Sequence, residues 1–390
     1  MGRAELINRR LIKDFGEKFL HKIDEYEYIS IFLHIKPDYD AYASLFSLYY
    51  WININFKNKI IALWIYPEEM SKNEKYLFNW KDGEILTEFP EKELKESLGI
   101  IVDTPNQERV LTQKHYFCNE LIIIDHHPKM DAFAQLEFIN HSYSSTAEIL
   151  GELFLIFEKS EKKLNFDPRI ARYLYAGVIT DSNFFKDHLT PQTFYVLWKF
   201  LEKGINRKEI NSVISENSLN KKLFDQEIVR NIRVTPNGLA FSIVKASLLK
   251  KYEIQDYLSA ITNLEGIEGI QIWAILIQDE SFDRWKCSIR SKELAIDSIA
   301  KLFKGGGHKK SASVLFKTRI DFLNLVIFLD KYLVKFGYTN ISNYRNFGKS
   351  KFLNLYKFFL VIIKVLVKSD KWRAKIESRG CYIWNSTQVI

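Results

Sequence analysis

The sequence contains few cysteines, glycines and prolines, and each scarcity excludes a class of protein. Its three cysteines, Cys118, Cys287 and Cys381, lie far apart and form no C-x-x-C pair. This spacing argues against a disulfide framework or a cysteine-rich zinc site and favours a reducing, cytoplasmic compartment. Only 16 glycines and 8 prolines occur in 390 residues, which excludes collagen-like and Pro-Gly-rich disordered chains. The first 15 residues are polar and mixed in charge, without the apolar core of a secretory signal.

The composition is that of a globular protein, with 47% hydrophobic and 27% charged residues. At this length, two or three domains are expected. The net charge of +8 comes from the end of the chain, because residues 344–390 contain ten basic and two acidic residues. The remaining 46 basic and 46 acidic residues cancel. The main body is therefore not predicted to bind nucleic acid through general basic charge.

The first two hundred residues alternate between short apolar runs and helical patterns. The runs are rich in Ile and Val and show no polar alternation, which is typical of strands buried on both faces of a parallel sheet. They are Ile29–Leu33, Ile60–Ile65, Gly99–Val102 and Leu121–Ile124. Helical stretches lie between them, around Ala41–Trp51 and Thr146–Phe157. We therefore predict an α/β fold with a mostly parallel, doubly wound sheet.

A second, smaller α/β domain is predicted after a polar connecting segment. Its predicted strands are Gly238–Val244, Ile270–Ile277 and Trp285–Ile289, and a predicted helix at Leu294–Phe303 ends at three glycines. The predicted division is 1–203 for the first domain, 204–230 for a linker, 231–325 for the second domain and 326–390 for a helical basic tail.

Acidic residues and histidines follow three of the four predicted strands. Residues 34–44 read His-Ile-Lys-Pro-Asp-Tyr-Asp-Ala-Tyr-Ala-Ser after the first strand, Asp103 follows the third, and residues 125–128 read Asp-His-His-Pro after the fourth. A helical stretch at Ile170–Ile179 leads into Asp181. Because ligand sites of open α/β sheets lie beyond the carboxyl ends of the strands, we expect these side chains to meet at one edge.

The residues expected at this edge form a set of metal ligands. They are His34, Asp38, Asp40, Asp103, His126 and Asp181. Four carboxylates packed together repel each other unless cations compensate their charge. Two divalent cations balance the four aspartates, and the mixture of Asp and His suits a metal such as Mn²⁺. Two such ions about 3.5–4 Å apart can share a hydroxide and stabilise an in-line phosphoryl displacement.

These segments resemble the motifs of the DHH phosphoesterase family, over roughly Tyr28 to Phe200. Residues 34–44 are similar to its first motif, and Asp103 stands where the second motif has its aspartate. Residues 125–128 resemble the signature that names the family, and Thr180-Asp181-Ser182 resembles the fourth motif. Order, spacing and strand context all agree with the family pattern.

The resemblance implies a role for each residue of the set. One metal would be held by His34, Asp38 and Asp103, and the other by Asp40, Asp103, His126 and Asp181. Asp103 would thus bridge the two ions, Asp125 would orient ligand imidazoles, and His127 would face the substrate phosphate.

The second domain carries a further resemblance, to the DHH-associated C-terminal domain. It rests on residues 286–292, Lys-Cys-Ser-Ile-Arg-Ser-Lys, and on the run that follows at 305–308. Glycines let backbone N–H groups approach a phosphate closely, and an arginine offers a planar fork for it. The resemblance implies that substrate is bound by Arg290, Gly305, Gly306, Gly307 and His308.

Size and layout are similar to the branch of oligoribonucleases and pAp phosphatases, which resemble bacterial nanoRNases. This implies hydrolysis of very short oligoribonucleotides or pAp to mononucleotides. Three alternatives stay open: a RecJ-like single-strand DNA exonuclease, a cyclic or linear dinucleotide phosphodiesterase, and a non-catalytic nucleotide-binding module. The sequence departs from the family pattern at Ala43, at Asn183-Phe184, at Lys304 and at 311–313, Ser-Ala-Ser. These departures remove no predicted ligand, and they bear on substrate preference.

The basic tail has no family resemblance. Phe352–Val367 is almost wholly apolar but too short and too charged for a membrane span. Lysines recur in one stripe on the helix it would form. The stripe fits a helix packed on the body, a helix lying on an anionic membrane surface, or an RNA contact. These interpretations, and a homodimer, are left open.

Overall fold

The computed structural model describes residues 3–129, 133–187, 189–254, 257–279 and 284–339. The chain divides into two compact units between Glu216 and Asn217. This division falls inside the segment that the sequence predicts to be a linker, 204–230. Helix Arg207–Ser215 belongs to the first unit and helix Leu219–Arg230 to the second.

The first unit is built on a five-stranded sheet in which every pairing is parallel. Its strands are β1 (Tyr28–Phe32), β2 (Ile60–Trp64), β3 (Leu98–Val102), β4 (Glu120–Asp125) and β5 (Leu136–Ile139). The order is β2-β1-β3-β4-β5, so the winding direction reverses between β1 and β3. Such a reversal is the usual ligand position of a doubly wound sheet. The four predicted strands are confirmed, and β5 is an edge strand that was not predicted.

Eight helices of the first unit lie in the described residues. They are α1 (Arg3–Glu25), α2 (Tyr39–Asn55), α3 (Lys72–Leu77), α4 (Glu91–Lys95), α5 (Thr146–Glu158), α6 (Pro168–Asp181), α7 (Pro191–Glu202) and α8 (Arg207–Ser215), with short 3-10 helices at Pro67–Glu69, Gln107–Arg109 and Gln113–Phe117. One sheet face packs under α1, α2, α5 and α6, and the other carries a second cluster around Phe32, Trp64 and Leu94. The strands are thus buried on both faces, which explains their unbroken apolar runs.

The second unit contains a mixed six-stranded sheet of order β10-β11-β9-β8-β7-β6. Its strands are β6 (Arg233–Val234), β7 (Leu239–Val244), β8 (Ile272–Asp279), β9 (Arg284–Ser291), β10 (Gly306–His308) and β11 (Ser311–Phe316). Only β7 and β8 pair in parallel. The helices are α9 (Leu219–Arg230), α10 (Ala246–Lys251), α11 (Asp297–Leu302) and α12 (Arg319–Lys335), with a 3-10 helix at Leu258–Leu264. The prediction of a second α/β domain is confirmed.

The second unit differs from the sequence prediction in several details. Helix α11 begins three residues later than predicted, and strands β6, β10 and β11 were not predicted. Strand β10 contains two of the three glycines that follow α11. The predicted tail at 326–390 begins inside α12, whose Leu329 and Leu333 are buried in the core of the unit. The remainder of the predicted tail, from residue 340, lies outside the described residues. Across the described ranges, none of the helices has the length and apolar character to cross a bilayer.

Candidate metal centre at the carboxyl edge of the parallel sheet

The loop between β1 and α2 places His34, Asp38 and Asp40 beyond the end of β1. His34 is buried and forms an isolated bridge with Val110. Asp38 caps α2, because its Oδ1 accepts the backbone N–H groups of Asp40 (3.0 Å) and Ala41 (3.1 Å). An aspartate at this position is a common helix cap, but Asp38 is also exposed and lies within ligand range of His34 and Asp103.

Asp40 is the buried carboxylate of this loop, and it points at the start of α5. Its two oxygens accept the backbone N–H groups of Thr146 (2.8 Å) and Ala147 (2.9 Å). Helix N-termini stabilise anions through these unpaired donors. Burial nevertheless raises the pKa of Asp40 to about 7, and the charge of Asp38 contributes to this shift. The two N–H groups lower the pKa, but their effect is smaller.

Close approach of α6 to Asp40 depends on Gly177. A Cβ at this position would lie 2.8 Å from Asp40 Oδ1 and 2.7 Å from the Cβ of Ala147. Because α6 ends at Asp181, the missing side chain lets α2, α5 and α6 converge where the carboxylates meet.

Asp103 lies at the centre of the cluster, directly after β3. Its backbone is left-handed (φ 62°) and its N–H donates to Ile124 O at 3.1 Å, which ties the turn to β4. Oδ1 accepts the hydroxyl of Thr146 at 3.0 Å, and Oδ2 lies 3.3 Å from His34 Nε2. Burial raises the pKa of Asp103 well above its usual value, and the charges of neighbouring aspartates, first Asp40, raise it further.

The two histidines after β4 have different environments. His126 Nε2 lies 3.2 Å from Asp181 Oδ2 and 3.7 Å from Asp103 Oδ1. Burial, and then the charge of His127, lower the pKa of His126 to about 4, so its imidazole is neutral and able to ligate a metal. At the end of α6, burial and the charge of Asp40 raise the pKa of Asp181 to about 9.

His127 is held by the fully buried Asp125, with 2.9 Å between Nδ1 and Oδ1. The side chain of His127 is 43% exposed, far more than that of His126. Burial opposes the imidazolium, but the hydrogen bond and charge of Asp125 outweigh it and raise the pKa of His127. The raised pKa favours the protonated form of His127, and in that form its ring can donate an N–H group to an anion.

The described structure brings all six predicted ligands together. Within each group below, one ligand atom per residue lies within 4.8 Å of the others. The groups are His34, Asp38 and Asp103; Asp40, His126 and Asp181; and Asp103, His126 and His127. Asp103 belongs to two of these groups, but the group of Asp40, His126 and Asp181 does not include it. His127 also lies within ligand range, although the sequence analysis assigned it to the substrate.

The donor set fits divalent cations. His126 Nε2 is buried and has no hydrogen-bond partner among the described residues, while two carboxylates lie beside it. An unpartnered imidazole nitrogen and several buried carboxylates with raised pKa values are unfavourable without a cation. Carboxylate and imidazole ligands together suit divalent metal ions.

Sequence reasoning missed Thr146, Ala147 and Gly177 as parts of this site. Thr146 donates its N–H to Asp40 and its hydroxyl to Asp103, so it joins the two buried carboxylates. A weak signal was present, since Ser145 is followed by Thr-Ala-Glu at the start of a helical pattern. No local pattern indicated that this helix would start against residues more than forty positions away.

Two of the predicted substrate-binding residues of the second unit, Arg290 and His308, lie in one row across its sheet. Ser311 of β11 pairs with both Arg290 of β9 and His308 of β10. The three residues form a row across adjacent strands, which places Arg290 and His308 about 10 Å apart. Burial lowers the pKa of the Arg290 guanidinium. An anion on this row would compensate the partly desolvated charge.

The three glycines before His308 differ in whether the packing of the sheet requires them. A Cβ at Gly305 would lie 2.2 Å from Ser313 O, and one at Gly307 would lie 2.3 Å from Ser311 O. Both are therefore required for β10 to approach β11. At Gly306 an added Cβ meets none of the described atoms within 4 Å. Gly306 is thus the glycine that the packing of the sheet does not explain.

Comparison with known proteins identifies the family to which this chain belongs. Residues 28–178 match the DHH family, N-terminal domain. The chain belongs to the DHH family of phosphoesterases. The matched region contains five of the six predicted ligands, and Asp181 follows three residues after its end.

Relatives of this DHH chain match most of its length. The uncharacterized protein MG371 of Mycoplasma genitalium is 36% identical over 330 residues, which cover 84% of this chain and 98% of that protein. The probable bifunctional oligoribonuclease and PAP phosphatase NrnA of Streptococcus mutans is 30% identical, over 74% of this chain and 89% of that protein. The crystal structure of an exopolyphosphatase-related protein from Bacteroides fragilis has the same fold, with a TM-score of 0.72 at 20% identity over 83% of this chain and 98% of that one.

Proposed function

We propose that this DHH protein is a metal-dependent phosphoesterase that hydrolyses very short oligoribonucleotides, and pAp, to mononucleotides. The observation that carries the proposal is the convergence of four aspartates and two histidines from three strand ends and α6, with Asp103 shared between ligand groups. The similarity to an NrnA protein described as an oligoribonuclease and PAP phosphatase supports the choice of substrate.

Two divalent ions, Mn²⁺ above all, fit the ligand groups. His34, Asp38 and Asp103 would hold one ion, and Asp40, Asp103, His126 and Asp181 would hold the other. Bound ions would supply a hydroxide nucleophile at neutral pH and neutralise charge on the phosphate. The protein contributes the fixed positions of these ligands, through Thr146 and through the turn that ties Asp103 to Ile124.

His127 and Asp125 complete the proposed catalytic set. Asp125 fixes the ring of His127 and favours its protonated form. The exposed imidazolium would then bind a phosphate oxygen of the substrate and stabilise the charge that develops there. Asp125 acts only through His127, because it is fully buried.

The row of Arg290, Ser311 and His308 is proposed to bind a phosphate or terminal nucleotide of the substrate. The partly buried guanidinium and the backbone N–H of Gly306 would act together on that group. We expect short substrates to be preferred over long ones, in keeping with the similarity to a protein described as an oligoribonuclease.

A substrate panel tests the function. It should contain pAp, RNAs of two to five nucleotides, long single-stranded DNA, cyclic di-AMP and pyrophosphate, each with Mn²⁺ and with excess chelator. We expect the highest kcat/KM on the shortest RNAs or pAp, and none of this activity in chelator. Equal activity on long DNA would favour a RecJ-like exonuclease, and preference for cyclic di-AMP would favour a cyclic dinucleotide phosphodiesterase.

Arg290→Ala tests the role of the second unit. Removal of a binding contact that is equal in ground and transition states raises KM more than it lowers kcat. The matched control is Arg284→Ala, six positions earlier on the same strand and exposed. An unchanged KM in Arg290→Ala, or an equal change in the control, would remove Arg290 from the proposed site.

A further inference from the structure

We propose that Phe184, Phe185 and Phe194 form a stacking surface for a nucleobase of the substrate, beside the carboxylate cluster. This surface is called the aromatic platform below. The inference rests on the proposed function, and it names the part of the protein that would recognise the base, whereas the metal ligands and Arg290 recognise phosphate.

The three rings are unusually exposed for phenylalanine. Their exposed fractions are 42% for Phe184, 41% for Phe185 and 54% for Phe194, although this residue type is among those most often buried. The rings of Phe185 and Phe194 are stacked, with centroids 6.0 Å apart and planes inclined by 28°. The two stacked rings thus leave part of their apolar surface open to solvent.

The turn that carries Phe184 and Phe185 is firmly held. Phe184 N donates to Ile179 O at 2.8 Å, and Lys186 N donates to Ser182 O at 2.9 Å. Ser182 is buried, and its hydroxyl accepts from Phe185 N at 3.4 Å. The two rings are therefore displayed by a defined backbone, and Phe194 is displayed by the first turn of α7.

Position next to the metal ligands identifies the occupant. Asp181 is the last residue of α6, and Phe184 follows three residues later, so their Cα atoms are at most about 11 Å apart. A phosphodiester held at the carboxylate cluster would carry its sugar and base into this neighbourhood. Aromatic rings beside a phosphate site bind single-stranded bases by stacking, and they do so with little preference among bases.

The test compares substrates with and without a base. The RNA dinucleotide ApA is used beside two analogues in which one base or the other is replaced by hydrogen. In the variants Phe194→Leu and Phe185→Leu, we expect KM for ApA to rise about tenfold with little change in kcat, which lies within the range that base–aromatic stacking contributes. KM for one of the abasic analogues should stay unchanged, and Phe194→Trp should restore the KM for ApA.

The matched control is Phe117→Leu. Phe117 is 50% exposed but lies before β4, at the opposite edge of the sheet from Asp125. Its variant should keep the KM of the natural protein. The aromatic platform does not bind a base if Phe194→Leu and Phe185→Leu leave the KM for ApA unchanged. The same conclusion follows if the two variants raise the KM values for both abasic analogues equally.

A binding measurement separates this inference from the proposed function. The fluorescence of 2-aminopurine riboside 5′-phosphate falls when its base stacks, and it can be titrated with protein without any turnover. A Kd from this titration that is about tenfold higher in Phe194→Leu supports the aromatic platform, even if none of the panel substrates is hydrolysed. Unchanged quenching together with a smaller assembly in size-exclusion chromatography would assign the three rings to a subunit contact and overturn the proposal.

Discussion

Asp103 combines a strained backbone with a buried charge, and both features affect what its replacement does. A left-handed φ is tolerated by Asp and Asn better than by most residues. We therefore expect Asp103→Asn to fold, to lose metal-dependent hydrolysis, and to raise the free energy of unfolding of the metal-free protein by about 1–3 kcal/mol, because it removes one of the repelling carboxylates.

Urea unfolding in chelator and in Mn²⁺ checks this expectation. Metal should stabilise the natural protein more than Asp103→Asn, since ligands stabilise only the state that binds them. Asp14→Asn, an exposed position on α1, serves as the control and should change neither stability nor activity. Full activity in Asp103→Asn would contradict the bridging role.

The raised pKa values of the carboxylates predict how metal-free stability depends on pH. Burial raises the pKa of Asp181 to about 9 and that of Asp40 to about 7, whereas both are near 4 in an unfolded chain. A carboxyl group with a raised pKa binds more protons in the native state, so stability falls as pH rises toward the folded value. His126 has the opposite effect, but only below its unfolded pKa of about 6.5.

The free energy of unfolding in chelator should therefore fall between about pH 6.5 and pH 9, the range in which the carboxylates act without opposition from His126. Urea titrations at several pH values measure it. The slope should be smaller in Asp181→Asn and should be reduced by Mn²⁺, which favours the ionised carboxylates. A metal-free stability that rises over this range would contradict the raised pKa values.

At the scale of the elements, convergence of three helices on Asp40 depends on Gly177. Gly177→Ala would place a Cβ within 2.7–2.9 Å of Ala147, Asp40 and Ala43. We expect a loss of about 1–3 kcal/mol in unfolding free energy, and a loss of activity because α6 carries Asp181. Gly306→Ala, where the new Cβ meets open space, should leave stability unchanged. Thermal unfolding of both variants checks the difference.

The elements that sequence reasoning predicted well are those whose signal is local. Strands β1 to β4 are buried on both faces, so their apolar runs are continuous and unmistakable. Strand β5 was missed because it is a partly buried edge strand of four residues. Strand β10 was missed because Gly-Gly-His forms a strand only through its pairing with β11, and a glycine run after a helix is more often a cap.

The residues of the candidate site divide in the same way, into those with a local signal in the sequence and those without one. The positions of the six proposed ligands could be predicted because each follows a strand or ends a helix, in the order that the family resemblance implies. Thr146 and Gly177 could not, because their roles depend on how closely α5 and α6 approach residues of distant segments. Exposure of Phe184, Phe185 and Phe194 was equally hidden, since phenylalanine in a helical or turn pattern normally predicts core.

At the scale of the whole molecule, the last helix of the described residues ends before the excess of basic residues at 344–390 begins. Helix α12 starts with a capping box between Thr318 and Asp321 and ends at Lys335. A chain that stops at Asn343 should therefore fold and keep metal-dependent activity on short substrates. Its net charge falls from +8 to zero, because residues 344–390 hold the excess.

Cosedimentation with anionic vesicles, and binding to RNA, test what the removed segment does. Weaker binding by the truncated chain would assign that interaction to residues 344–390, and full binding would reject it. An insoluble truncated chain would indicate that the segment packs on the body instead.

The all-parallel pairing of the first sheet has a consequence for the order of events in folding. Ile29 pairs with Leu98, 69 positions later in the chain, and a sheet made of such distant pairings forms slowly. The carboxylates meet only after these strands and α5 are in place, so an ion has no preformed site to bind in the folding transition state. Mn²⁺ should therefore leave the refolding rate nearly unchanged and slow the unfolding rate, because it stabilises interactions that form late. The ion would then stabilise the native state only after folding is complete. Its removal would shorten the lifetime of the native protein without changing the folding rate.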